Sequence, residues 1–199
     1  MSTDAAKRRQ IRQQIRQQMR ERRASLDSER QTRAAEAVLA KLEKIEMLRT
    51  AAAVAGYRGV RGEVNIDEIL SRLIARGATV TVPRVVGDHL EFVEWLPAAA
   101  STRGAFGIPE PVGSEALDLR AHDAVLAPLT AFDRTGARIG QGGGFYDRSL
   151  GRLGDERPAL IGIAYAFQEV EQIPVEPWDI PLDAVVTDTR VTVFRSGTL

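Results

Sequence analysis

The sequence predicts an α/β protein. We expect one three-layer α/β/α domain over residues 1–199, its mostly parallel sheet covered by helices on both faces and its N-terminal helix docked on the body. Three observations carry this reading. Short β-tolerant runs alternate with amphipathic helical stretches along the chain. Residues 51–82 run strand, helix, strand over roughly 30 residues, a βαβ unit whose crossover is right-handed. A glycine run follows a later strand and leads straight into another helical stretch. Ligands in such sheets bind beyond the carboxyl ends of the strands, so loops 58–63, 129–144 and 174–183 are the ones expected to build a site.

Residues 1–26 read as a basic N-terminal helix. Ile11, Ile15 and Met19 recur every four residues and give a narrow apolar stripe, too little to hold a helix alone in water but enough to dock it. Asp27-Ser28 starts a second helix, with Ser28 and Gln31 placed for a capping box and Val38, Leu39, Leu42 and Ile45 as the buried face. Ala51–Tyr57 is a small-residue strand, followed by the loop Arg58–Glu63. Ile66, Ile69, Leu70, Leu73 and Ile74 mark an amphipathic helix with Gly77 at C′. Ala78–Val82 is a strand stopped by Pro83, and Leu90–Trp95 alternates like a half-exposed strand. Residues 97–122, with Phe106–Pro111 inside them, form the longest irregular stretch, and a connection that long often serves function. Asp123–Ala127 is a strand ended by Pro128. After the glycine loop a helix runs to about Leu153, and strands at Ala159–Ala164, Ala184–Thr187 and Val191–Phe194 close the chain.

Composition narrows the chemistry. A chain of 199 residues, 44% hydrophobic and 27% charged, can bury a substantial core, and no apolar run approaches the ~20 residues that span a bilayer. The absence of cysteine excludes disulfides, thiol nucleophiles and thiolate metal sites. His89 and His122 cannot make a three-histidine zinc site, and both read as surface residues. Net charge is zero, yet residues 7–23 carry eight basic side chains against one acid, a segment of +7 over a body of −7. That asymmetry fits nucleic acid, an anionic ligand or intramolecular docking, and it resembles an import presequence, although it is Gln-rich where such leaders are Ser-rich. The apolar stripe favours docking on the protein's own body over a nucleic-acid partner, and the expected location is cytoplasmic.

Residues Arg138-Ile139-Gly140-Gln141-Gly142-Gly143-Gly144-Phe145-Tyr146-Asp147-Arg148 carry the strongest signal. Four glycines in five positions let a ligand approach the backbone and permit positive φ. Successive amide N–H groups there can form an anion-binding nest, and Asp147 can hold a magnesium ion bridging to a phosphate. The plainer alternative is a flexible loop before a capped helix. No Gly-Lys-Ser/Thr follows, so the loop is not a Walker A motif, and Phe145 falls where a dinucleotide fingerprint needs its last glycine. Asp179 is a possible distant partner of Asp147, since magnesium prefers few protein ligands. A turn residue after Pro177 is the favoured reading of Asp179 from the sequence alone. Asp133 reads as an Asx-turn residue. Glu63 either hydrogen-bonds a polar heterocycle or, the favoured reading from spacing, sits in a helix's first turn. The N-terminal arginines are either a solvated face or charge clamps on a polyphosphate.

With these pieces placed, the sequence resembles the 5-formyltetrahydrofolate cyclo-ligase (5,10-methenyltetrahydrofolate synthetase) family. Its signature Arg-Leu-Gly-x-Gly-x-Gly-Tyr-Tyr-Asp matches Arg138–Asp147 with two changes, Ile139 and Phe145. Further matches follow in order: Arg12-x-x-Ile15-Arg16, Glu63 after the first strand, Phe106–Pro111, Ala131-Phe132-Asp133 and Pro174–Asp183. The resemblance implies ATP- and magnesium-dependent cyclisation of 5-formyltetrahydrofolate to 5,10-methenyltetrahydrofolate by a monomer, through a phosphorylated formyl group and with no covalent enzyme intermediate. A catalytically silent folate- or nucleotide-binding member of the same fold is the alternative. It also implies ATP contacts from Arg12, Arg16, Arg138, Ile139, Gly140, Gln141, Gly142, Gly143, Gly144, Phe145 and Tyr146. Substrate contacts would come from Arg58, Glu63 and residues Gln141 to Phe145, and magnesium ligation from Asp147 and Asp179. Arg138, Gln141 and Tyr146 would align the reactants. Arg12 stands where the family has Lys, Gln141 where a basic or aromatic residue is commoner, and Trp178 where a small polar residue or His is usual. A register one turn earlier, with Arg8 and Arg12 in place of Arg12 and Arg16, is the alternative.

Overall fold

The computed structural model describes residues 2–97, 101–104, 109–112, 115–197 and 199. Helices α1 (Ser2–Ala24), α2 (Ser28–Leu42) and α3 (Glu46–Thr50) precede strand β1 (Ala53–Ala55), and α4 (Asp67–Ala75) crosses to β2 (Thr79–Val86). Next come β3 (His89–Glu94), β4 (Ser101–Arg103), β5 (Pro109–Pro111), β6 (Ala116–Leu117) and β7 (Ala124–Pro128). The short strands β8 (Ala131–Phe132) and β9 (Arg138–Ile139) precede α5 (Phe145–Gly151), β10 (Ala159–Ala164), β11 (Ala184–Thr187) and β12 (Val191–Val193). Of the expected Phe106–Pro111 loop, residues 106–108 lie outside the described residues, and Pro109–Pro111 is β5.

The main sheet runs β12-β11-β10-β7-β1-β2-β3-β6. Its central five strands are parallel, and β12, β3 and β6 add antiparallel edges. Among the parallel strands the chain order reverses between β1 and β7. The carboxyl ends there open the crevice in which open α/β sheets bind ligands. Alternation of side chains loads both faces of the sheet. Val54, Val80, Leu126, Ile161 and Val186 join α2, α3 and α4 in one cluster. Ala55, Val125, Ala127, Leu160 and Val185 face the other way, toward Leu150 of α5. Gly77 (φ +92) closes α4 at C′, with Gly77 N–H on Ile74 O (2.9 Å) and Ala78 N–H on Leu73 O (3.1 Å), a Schellman pair. The N-terminal stripe does dock: Met19 and Ile15 pack with Ala131, Ala137, Ile139 and Ile173.

Three local expectations are corrected. The cap of α2 is Asp27, whose side chain accepts from Arg30 N–H (2.7 Å), so Ser28 is already helical and Gln31 instead donates to Leu26 O (3.1 Å). Pro83 does not stop β2. Gly56 N–H bonds Thr81 O and Trp95 N–H bonds Val80 O, so odd residues of β2 face β1 and even ones face β3. Pro83 turns its missing N–H toward β1 beyond the last pair, Ala55 with Thr81, where nothing needs it. His122 is buried, not on the surface. Its Nε2 lies 2.8 Å from Thr81 Oγ1, while Nδ1 faces the carbonyls of Asp118 (3.1 Å) and Leu119 (3.3 Å). A neutral ring protonated on Nδ1 satisfies both sides.

Burial holds the His122 pKa below its ordinary 6.5, so the unfolded chain binds this proton more readily than the folded protein. Stability from the neutral ring is complete above 6.5 and falls as pH drops through that value toward the folded pKa. Urea unfolding between about pH 8 and pH 5 is expected to show this decline, and His122→Gln is expected to flatten the part of it that the ring contributes.

Candidate functional site

Past β9 the chain runs through Gly140–Gly144 into α5. Gly142 (φ +114) and Gly144 (φ +66) occupy backbone space closed to most L residues, while a Cβ on Gly140 would meet nothing within 4 Å. Across this loop lies α1. Arg8, Arg12, Arg16 and Arg20 recur every four residues, so they share one face of the helix. Arg8 pairs with Glu176 through Nε (3.0 Å) and Nη2 (3.2 Å). Arg12 binds the Asp179 carboxylate and Pro174 O (3.2 Å). Arg16 Nε donates to Gly140 O (3.0 Å), with its guanidinium 3.7–3.8 Å from where a Gly142 Cβ would stand. Arg20 Nη2 donates to Gln141 O (2.9 Å) and Oε1 (3.0 Å).

Arg8 and Arg12 thus have carboxylate partners, whereas Arg16 and Arg20 bond only neutral oxygens among the described residues. Burial, reinforced by repulsion from Arg12 and Arg20, lowers the Arg16 pKa. These cations remain charged, so the glycine loop faces uncompensated positive charge suited to a polyphosphate.

Asp147 and Asp179 come to neighbouring segments. Asp147 Oδ1 accepts from Arg138 Nη2 (2.7 Å) and from Ile180 N–H (3.1 Å), the residue next to Asp179. Asp179 also makes its expected turn, Oδ2 accepting Glu176 N–H (2.9 Å). Among the described residues no three His, Cys, Asp or Glu side chains cluster to cage a metal. Each carboxylate is already paired with an arginine, Asp147 with Arg138 and Asp179 with Arg12; as hard oxygen donors they are of the kind magnesium accepts alongside phosphate. Asp133 forms its Asx turn, Oδ1 taking Thr135 N–H (2.9 Å) and Ala137 N–H (3.2 Å). Its Oδ2 accepts Ile173 N–H (2.8 Å), tying the tail loop to the β8–β9 hairpin.

Glu63 lies on the other side of the glycine loop, its side chain 5% exposed. Its Oε2 accepts Val60 N–H (3.2 Å), and its Oε1 accepts Gln141 Nε2 (2.9 Å) and stands 3.6 Å from Arg23 Nη1. Tyr57, Tyr146 and Tyr165 face it as neutral phenols, their pKa values raised first by burial and further by the Glu63 charge.

A model of the 5-formyltetrahydrofolate cyclo-ligase family matches residues 8–188. The chain belongs to the 5-formyltetrahydrofolate cyclo-ligase family. The Escherichia coli (strain K12) protein named 5-formyltetrahydrofolate cyclo-ligase is 33% identical over 176 residues, covering 86% of this chain and 97% of that protein. The protein of that name from Haemophilus influenzae is 35% identical over 165 residues, covering 80% and 88%. Among solved structures, that of Aquifex aeolicus 5,10-methenyltetrahydrofolate synthetase superposes with a TM-score of 0.82 at 32% identity, covering 94% of each chain.

Viewed as a cyclo-ligase, the chain brings Arg12, Arg16, the glycines, Gln141, Tyr146, Asp147 and Asp179 to one region. Arg16 is the guanidinium over the glycine loop, while Arg8 sits at Glu176. Arg138 is buried against Asp147, and the fully buried Ile139 side chain leaves only main chain to offer a ligand. Arg58 turns to Asp67 (3.2 Å) and the Trp95 ring (5.1 Å). Arg20 and Arg23 join the site although no motif singles them out among the N-terminal arginines. The four-residue spacing that includes Arg20 was visible; nothing local marks Arg23. In urea unfolding Gly142→Ala is expected to lose about 1–3 kcal/mol through backbone strain. Gly140→Ala, with open space at its Cβ, is expected to unfold like the parent, and equal losses would contradict the loop geometry.

Proposed function

We propose that the protein converts 5-formyltetrahydrofolate and ATP into 5,10-methenyltetrahydrofolate, ADP and phosphate, with magnesium. In this reading it is a cytoplasmic monomer in which residues 1–199 act as one domain. One observation supports it above the others: the glycine loop that faces Arg16 and Arg20 also touches Glu63, through Gln141. A phosphoryl donor bound on one side of that loop and a heterocycle bound on the other would lie within transfer distance. The Escherichia coli and Haemophilus influenzae relatives carry the name of this activity. No helix among the described residues is long and apolar enough to cross a membrane.

The chemistry explains the layout. A formamide carbonyl is a poor electrophile and its oxygen a poor leaving group. Attack of that oxygen on the γ-phosphorus releases ADP and leaves an iminium phosphate, with the N5 lone pair drawn into the C=N bond. N10 then adds to the formyl carbon and loses its proton. The C–O bond breaks, phosphate leaves, and the N5–C–N10 bridge is closed. No protein nucleophile takes part, so alignment and charge neutralisation carry catalysis. Arg16 and Arg20 neutralise the phosphates over the loop, and Gly140–Gly144 lets them approach the backbone. Glu63 accepts the N–H edge of the pterin in place of the Gln141 amide. Arg138 and Ile180 N–H orient Asp147. Magnesium, when bound, would be held by Asp147 and Asp179 and would supply positive charge to the transferring phosphoryl group.

Purified protein mixed with 5-formyltetrahydrofolate and Mg-ATP is expected to generate the methenyl-folate absorbance. Folded protein that binds both ligands without turnover would identify the silent alternative. Asp147→Asn keeps an oxygen for Ile180 N–H but removes the charge. It is expected to fold and to lose kcat/KM by on the order of 10²-fold, partly recovered by excess magnesium. Turnover like the parent's would remove Asp147 from the site.

A further inference from the structure

Arg23 ends the arginine face of α1 and is 1% exposed. None of its three guanidinium nitrogens has a hydrogen-bond partner. A buried cation left this way is costly, and folded proteins keep such groups where they serve a function. The nearest anion is Glu63, with Oε1 3.6 Å from Arg23 Nη1 and its side chain only 5% exposed. The loop carrying Glu63 bends over Arg23 through two consecutive left-handed residues, Arg61 (φ +53) and Gly62 (φ +74). A Cβ on Gly62 would lie 3.5 Å from Arg23 O. Arg61 is the one non-glycine residue with positive φ among the described residues, so this approach is made against backbone preference.

The other titratable groups facing Glu63 come from three further segments: Tyr57 after β1, Tyr146 in α5 and Tyr165 after β10. All three are neutral phenols. The Tyr146 and Tyr165 hydroxyls have no partner, and Tyr57 spends its proton on Val64 O (2.6 Å). Arg23 is therefore the positive charge closest to this carboxylate. A bidentate salt bridge would occupy the carboxylate's acceptor positions. At 3.6 Å and without a hydrogen bond, Arg23 supplies its field and leaves those positions to other donors, as the Gln141 amide shows at 2.9 Å.

We propose that Arg23 is a positioning residue that holds the Glu63 carboxylate by its charge alone, without a hydrogen bond, so that Oε1 can exchange the Gln141 amide for an N–H donor of a 2-amino-4-oxo heterocycle. This rests on the reading that Glu63 binds the substrate. Without Arg23 the carboxylate has no cation behind it, and its acceptor position for that donor is no longer held.

The test is the KM for 5-formyltetrahydrofolate and for ATP in Arg23→Met, Arg23→Lys, Glu63→Gln and the double variant. Arg23→Met is expected to raise the folate KM by about 10-fold, with the ATP KM within about twofold of the parent's. Arg23→Lys, which keeps the charge, is expected to recover most of that loss. Adding Glu63→Gln to Arg23→Met is expected to cost little beyond Glu63→Gln alone. A folate KM for Arg23→Met matching the parent's, or a Lys variant as impaired as Met, would overturn the role of Arg23. Glu63→Gln with an unchanged folate KM would overturn the substrate reading itself, separately. Should Arg23→Met fail to fold, Arg23→Gln, which removes the charge but keeps polar donors, carries the same measurement.

Discussion

The row of arginines on α1 is the constraint on which the site depends. Its guanidiniums reach loops leaving the carboxyl ends of three parallel strands: Glu63 beyond β1, Gly140 and Gln141 beyond β7, Pro174, Glu176 and Asp179 beyond β10. Exposed ion pairs alone are worth little. Charged donors on backbone carbonyls are worth more, about 1.5–3 kcal/mol each, and a rigid helix makes them act together. The apolar side of the contact is small, chiefly Met19 and Ile15 against the β8–β9 hairpin. Docking of α1 and placement of the loops are consequently one event, and a basic helix that looks like a tail is a structural member of the site.

Charge divides the site into two halves. On the glycine side, cations exceed anions, because Arg16 and Arg20 bond neutral oxygens while Arg8, Arg12 and Arg138 each meet a carboxylate. On the Glu63 side one carboxylate sits among uncharged phenols, with a single buried cation behind it. The first half suits a polyanion, the second a neutral ring rich in N–H donors. Gln141 joins them, held by Arg20 on one flank and bonded to Glu63 on the other. In the proposed reaction, arrival of a phosphate at the loop would therefore bear directly on the carboxylate proposed to receive the heterocycle.

Much of this was legible in the residues. The alternation of elements, the stop at Gly77, the docking stripe and the glycine loop are short-range signals, written within one or two turns of chain. Apart from the α2 cap, which moved by one residue to Asp27, a distant neighbour decided what differs from the expectation. Pro83 is tolerated because β1 ends two residues earlier on its N–H side. His122 is buried because Thr81, 41 residues away, offers its ring a partner. Asp133 is the Asx residue its spacing implies, yet its second oxygen holds Ile173, forty positions on. Asp179 is both the turn residue that its proline neighbour predicts and the partner of Arg12.

From its order of residues alone, then, this protein determined an α/β sheet with a phosphate-suited glycine loop and a cationic helix meant to lie on its own body. Period, turn chemistry and charge spacing act locally and can be read locally. Which arginine meets which acceptor, and how Arg23 comes to sit unbonded behind Glu63, was decided only when three strands placed their loops under one helix. Burial, and the field of a charge a few ångströms away, belong to that packing and to no segment of the chain.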